Sequence, residues 1–194
     1  MKKTRVDRDP ILPFASAAEW EAWLRKHHKE DHALWLQIYK KDSGVTTVTY
    51  AQALDVALCY GWIDGQKRGH DAESFLQRFC PRRARSVWSQ INKEHVARLI
   101  KAGRMRAAGL AQVAAAKADG RWAQAYSGAK DSVMPEDFLK RLAKDKNALA
   151  FFKTLNAANT YAIRYRLHTA KKPETRERRM GLILDRLSRG QSIL

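Results

Sequence analysis

The chain has 194 residues, 37 Lys and Arg against 20 Asp and Glu, and a formal net charge of +17. Its 45% apolar fraction excludes a disordered basic tail, and no uncharged run approaches the roughly 18 apolar residues that a membrane span needs. Two cysteines make no disulfide framework and suit a reducing cytoplasm. In chain order, Met1–Asp9 is basic with no apolar stretch behind it, so no secretory signal is expected. Pro10–Phe14 reads as extended, and Ser16 with Glu19 as a capping box before the helical stripe Trp20, Trp23, Leu24. From Ala33 to Lys40 the period is two, with Leu34, Leu36 and Ile38 on one face and Trp35, Gln37 and Tyr39 on the other. Thr49 and Gln52 open a second helix, which Gly61 closes as a left-handed cap. Trp62–Arg68 and Ser74–Phe79 read as two strands, with Asp64-Gly65 a candidate turn and Pro81 a stop.

Beyond Asn92, a plausible N-cap, every pattern is helical: Val96, Leu99 and Ile100; the Ala-rich run 108–119; Phe138, Leu139 and Leu142 after Pro135; Ala148, Phe151 and Phe152; 161–168; and Met180, Ile183, Leu184 and Leu187 after Pro173. The expected fold is α+β: a small, mostly antiparallel sheet packed by helices, followed by an all-helical C-terminal region. The expected division is 1–126, a linker at 127–134, and 135–194.

Three motifs resemble the bacterial YdeI/OmpD-associated, or bacteriocin-protection, family. They are Thr49–Arg68 (TYAQALDVALCYGWIDGQKR), Phe75–Asn92 (FLQRFCPRRARSVWSQIN) and Ala170–Arg179 (AKKPETRERR). The resemblance extends from about Trp20 to Gly190 and departs from the family pattern at Cys80, where a Thr is expected. It implies a cytoplasmic protein tied to envelope stress or bacteriocin tolerance, and brings no reaction, cofactor or catalytic residue with it.

Two regions concentrate charge. Between Gln66 and Arg106 there are 11 Lys and Arg against 3 acids, with Arg82, Arg83 and Arg85 within four residues and Trp88 and Trp62 nearby. Guanidinium groups pair with phosphate or carboxylate, and an indole face can stack on a ring. Trp62, Asp64, Lys67, Arg82, Arg83, Arg85 and Trp88 are therefore the candidate site for a small anionic ligand. The competing reading buries the tryptophans as core and either pairs the arginines with Asp55, Asp64 and Asp71 or leaves them facing water. From Arg164 to Arg189 there are 9 basic against 3 acidic residues. Lys171, Lys172, Arg176, Arg179 and Arg186 are the candidates for contact with a polyanion such as nucleic acid. The alternative is a solvated face opposite the apolar stripe.

No acid, base and nucleophile assemble in the sequence. Ser86 and Ser89 lack a GxSxG elbow, and His28 with His32 lack the Glu of a zinc-protease motif. Neither cysteine is part of a CxxC pair, so no metal or cofactor is expected. Cys80 stands beside arginines, a setting that can lower a thiol pKa, but the favoured reading is a packed or idle thiol. The balance favours a non-enzymatic polyanion-binding module. The alternatives are an enzyme or sensor for a small anion, and a protein-contact module, which would show an exposed apolar patch.

Overall fold

The structure, a computed structural model, describes residues 9–128 and 132–194. The basic leader, and residues 129–131 of the expected linker, lie outside the described residues. The chain divides into two compact units, Met1–Ser86 with Asn92–Ala123, and Val87–Ile91 with Gln124–Leu194.

The first unit is built on four strands: β1 (Ile11–Pro13), β2 (Leu34–Tyr39), β3 (Trp62–Gly69) and β4 (Ser74–Pro81), in the order β1-β2-β4-β3. β1 runs parallel to β2, and both other pairings are antiparallel. The register puts Leu34 opposite Phe79, Leu36 opposite Gln77 and Ile38 opposite Phe75 on one face. Helix α1 (Ala17–His27) packs there through Trp20, whose ring lies 5.7 Å from Phe79 and 6.2 Å from Trp62. Ser16 caps α1, and Thr49 with Gln52 forms the expected capping box on α2 (Tyr50–Cys59). After α2 the chain turns at Gly61, whose φ of +76° is a left-handed conformation that costs glycine little.

The alternation in β2 does not translate into one buried and one wet face. Leu34, Trp35 and Leu36 are all buried. On the second face the Arg68 guanidinium lies 4.2 Å from the centre of the Trp35 ring, and Arg78 pairs with Asp9. Long cationic side chains thus lie over the apolar surface there. Asp64-Gly65 is also no turn. Both residues lie within β3, where the register shifts between Asp64 and Lys67. The buried Gln77 amide on β4 donates to the Gly65 and Gln66 carbonyls at 3.1 and 3.2 Å, satisfying acceptors that the irregularity leaves off the ladder.

Helices α3 (Gln90–Lys101) and α4 (Ala107–Ala118) follow. α3 starts two residues before Asn92, and Ile100 is exposed: one step of about 100° past Leu99 carries it off the buried stripe.

The second unit holds α5 (Glu136–Leu142), α6 (Lys146–Phe152), α7 (Ala157–His168) and α8 (Pro173–Ser188). Phe138, Leu142, Ile163, Leu167, Met180, Ile183 and Leu187 form its core, while Leu139 is exposed. Asn156 caps α7, and buried Asn159 accepts from the backbone N–H groups of Ile193 and Leu194, both at 2.9 Å. Residues 87–91 join this unit through paired backbone: Tyr126 N–H donates to the Trp88 carbonyl, and Gln90 N–H donates to the Tyr126 carbonyl. Among the described residues no helix is long and apolar enough to cross a membrane.

Candidate functional site

In the first unit, Pro81 ends β4 and the next residues are fastened on two sides. The Arg82 N–H donates to the Gly61 carbonyl at 3.0 Å, and Arg83 N–H donates to the Ser86 hydroxyl at 3.0 Å. Buried Arg121, paired with Asp119, donates from Nη1 to the Ser86 carbonyl at 2.8 Å. The segment therefore forms one wall of a cavity of about 380 Å³, lined by Arg78, Cys80, Arg82 and Arg83 with Asp31 and His32 opposite. Arg78 is held by Asp9, with Nε and Nη2 both 2.7 Å from Oδ2. Three arginines thus line one concavity, Arg78 already paired with Asp9, and the acid of its lining is Asp31. Such a concavity can hold a small anion.

The other residues proposed from sequence are placed differently. Trp62 is fully buried, donating from its indole to the His28 carbonyl at 3.0 Å and packed edge-on against Trp20 and Trp23. Trp88 is 2% exposed and belongs to the second unit. Neither indole offers a face for a ligand to stack on, because burying these large rings stabilises the core. Asp64 is half-buried and accepts from the Tyr50 hydroxyl at 2.8 Å. Lys67 sits 4.1 Å over the Phe75 ring, and Arg85 is exposed. None of these three lines the cavity. Asp55 pairs with Arg98 and His95 rather than with Arg82, Arg83 or Arg85.

Of the two readings of Cys80, the packed thiol is the one its surroundings support. Burial pushes its thiol pKa up, outweighing Arg78, Arg83 and Arg82, which pull it down. The thiol therefore stays protonated at neutral pH. Ser86 acts as a hydrogen-bond acceptor in the turn.

On the last helix and the two residues before it, the five polyanion candidates separate into two groups. Arg176 is bound to Asp137, with Nη2 at 2.9 Å from Oδ1, and that pairing holds the Asp137 carboxyl below its usual range. Arg179 donates from Nη1 to the Arg166 carbonyl at 2.8 Å, serving the free C-terminal carbonyls of α7. Both are committed within the unit, so the single basic face formed by Arg176, Arg179 and Arg186 does not stand free. Lys171, Lys172 and Arg186 are exposed, as is Arg178. Arg186 lines, with Arg166, Arg179 and Leu182, a groove of about 610 Å³.

A family model described as a domain of unknown function (DUF8412) matches residues 12–112, just over half of the chain. The chain belongs to that family. A second model, OmdA, described as Bacteriocin-protection, YdeI or OmpD-Associated, matches residues 131–190. The C-terminal region is thus of the YdeI/OmpD-associated type, as the motifs indicate, but the match is narrower than those motifs. Ala170–Arg179 lies inside it, whereas Thr49–Arg68 and Phe75–Asn92 lie within the DUF8412 match. No curated protein and no solved structure matches the chain.

Within the DUF8412 part, sequence reasoning missed Arg78, Asp31 and His32 as cavity residues. Arg78 lies on β4 two residues before Cys80 and so on the same face, a signal the strand period carries. Asp31 and His32 precede β2 and reach the cavity only because β2 pairs with β4, which no local pattern announces. Among the described residues no group of three or more His, Cys, Asp or Glu could hold a metal ion.

Proposed function

We propose that this chain is an anion-binding protein whose first unit holds a small anionic ligand at the arginine cavity beyond β4. The observation that carries the reading is that Arg78, Arg82 and Arg83 line one concavity. Arg83 is the exposed member, so its charge is the one a ligand meets first. A protonated Cys80 supplies no thiolate nucleophile, so the reading is of binding rather than covalent chemistry. The two unbridged cysteines suit a reducing, cytoplasmic setting. The bacteriocin-protection description of the C-terminal match supports a part in tolerance to such toxins.

The test is calorimetric titration of the purified chain with inorganic phosphate and with a nucleoside monophosphate. Saturable binding weakened about tenfold by Arg83→Glu, with unchanged circular dichroism, supports the site. Binding indifferent to that change, or no binding, overturns it.

A second reading, contact with nucleic acid or another phosphate-rich polyanion, rests on the last helix. Two of its three acids are engaged, Glu177 with Arg141 and Asp185 with Arg189, which leaves Glu174 at its first turn. The exposed cations Lys171, Lys172, Arg178 and Arg186 are left to meet a charged partner.

A further inference from the structure

The second unit contains a cavity of about 270 Å³ formed where α7 faces Ser127, Ser132 and Val133. Tyr126, Tyr161, Arg164, Tyr165, His168 and Arg176 line it. None of them belongs to the arginine cavity of the first unit. Arg164 is the unusual member. Its Nη1 donates to the Ser132 carbonyl at 2.6 Å, whereas its Nε is buried and has no hydrogen-bond partner. Buried donors are almost always paired, because leaving one unpaired forfeits its hydration for nothing. Nε and Nη2 lie along one edge of the guanidinium, the edge whose two parallel N–H groups match the two oxygens of a carboxylate.

Charge narrows the ligand. Arg176 is neutralised by its paired contact with Asp137. Arg164 has no acid partner among the described residues, so the arginines offer one uncompensated charge, which suits a monoanion better than a dianion. Shape narrows it further. Tyr126 and Tyr165 stand edge to face with ring centres 5.0 Å apart, and Tyr161 lies 6.2 Å from Tyr165. These rings give flat apolar walls against which another ring packs. Burial pushes the Tyr161 hydroxyl pKa up, so it remains a hydrogen-bond donor at neutral pH. The volume is just under the roughly 300 Å³ at the low end of ordinary ligand pockets, which limits the occupant to a single ring.

We propose that this cavity binds a small aromatic carboxylate, with the carboxylate at the Arg164 guanidinium and the ring among Tyr126, Tyr161 and Tyr165. The site is independent of the small-anion reading above: it lies in the other unit and uses no residue of that cavity.

The test is titration of the full chain with benzoate, benzamide and phenyl phosphate, followed by calorimetry or ligand-observed NMR. Benzoate is expected to saturate with a dissociation constant of about a millimolar or tighter, as befits a ligand of so few atoms. Benzamide keeps the shape and loses the charge, and should bind at least about tenfold more weakly. Arg164→Gln should weaken benzoate by about tenfold, and Tyr161→Phe by a few fold, while Arg83→Glu leaves benzoate binding unchanged. The comparison of benzoate with benzamide on the unaltered chain stands even if Arg164→Gln fails to fold. Four results would each overturn the proposal: equal affinity for benzoate and benzamide, tighter binding of phenyl phosphate than of benzoate, sensitivity to Arg83→Glu in place of Arg164→Gln, and no benzoate binding.

Discussion

Gly109 in α4 lies so close to the end of α2 that a Cβ on it would stand 2.4 Å from the Cys59 carbonyl oxygen and 2.6 Å from that of Leu58. The two helices touch backbone to backbone at this point, and only a hydrogen fits. In an open helical position, Gly→Ala stabilises by about 1 kcal/mol. Here the added methyl meets rigid backbone, so Gly109→Ala should destabilise by about 1–3 kcal/mol or more. Gly181 in α8 is the internal control, because a Cβ there meets nothing within 4 Å. Gly181→Ala should raise the melting temperature while Gly109→Ala lowers it. Two thermal melts decide the matter, and shifts of the same sign would contradict the close approach.

The amide of Gln77 is the second structural device open to test. It is 3% exposed and serves the carbonyls of both residues in the β3 irregularity. Gln77→Leu fills similar space but leaves those two acceptors without that donor. The expected cost is about 1–3 kcal/mol, seen as a lower urea midpoint with an unchanged slope. A variant as stable as the parent would mean that water serves the irregularity equally well.

Most of the element pattern was legible because local chemistry wrote it. The capping residues Ser16 and Thr49, and the stripes around Trp20 and Met180, report their own helices. What sequence could not show depends on partners distant in the chain. The Trp62 indole looks like a stacking surface until α1 covers it with Trp20 and Trp23. Arg176 and Arg179 look like free surface charge until Asp137 and the end of α7 engage them. Arg82 and Arg83 were identifiable from composition, whereas the opposing Asp31 and His32 follow only from the pairing of β2 with β4.

Asp55 should shape the acid limb of the stability profile. Burial raises its pKa, but hydrogen bonds from Arg98 and His95 outweigh that and hold the carboxyl below its ordinary value. A group more acidic when folded contributes stability that is fully present above its unfolded pKa of about 3.9 and is lost as pH falls through its folded value. Asp55→Asn should therefore be less stable than the parent near pH 7. The gap should close as pH drops below about 4, where the parent's Asp55 takes up its proton. Urea midpoints measured from pH 7 down to pH 3 check this. A gap constant across that range would show that the Asp55 charge contributes nothing to stability.

The exposed and committed cations of the last helix should respond differently to substitution. Lys171 and Lys172 are exposed, so Lys171→Glu with Lys172→Glu should leave the melting temperature nearly unchanged. Arg179 serves the carbonyl end of α7, so Arg179→Ala should cost about 1 kcal/mol of stability. Binding of labelled DNA and RNA oligomers, followed by fluorescence anisotropy across a salt series, then separates structure from contact. If the exposed lysines meet phosphate, reversing them should flatten the log–log salt slope by about 0.7–0.9 for each phosphate no longer neutralised. Arg179→Ala should leave that slope alone, because its guanidinium is already occupied. A slope unmoved by the lysine reversals would remove the last helix as a phosphate-binding surface and leave its charge as a solvated face.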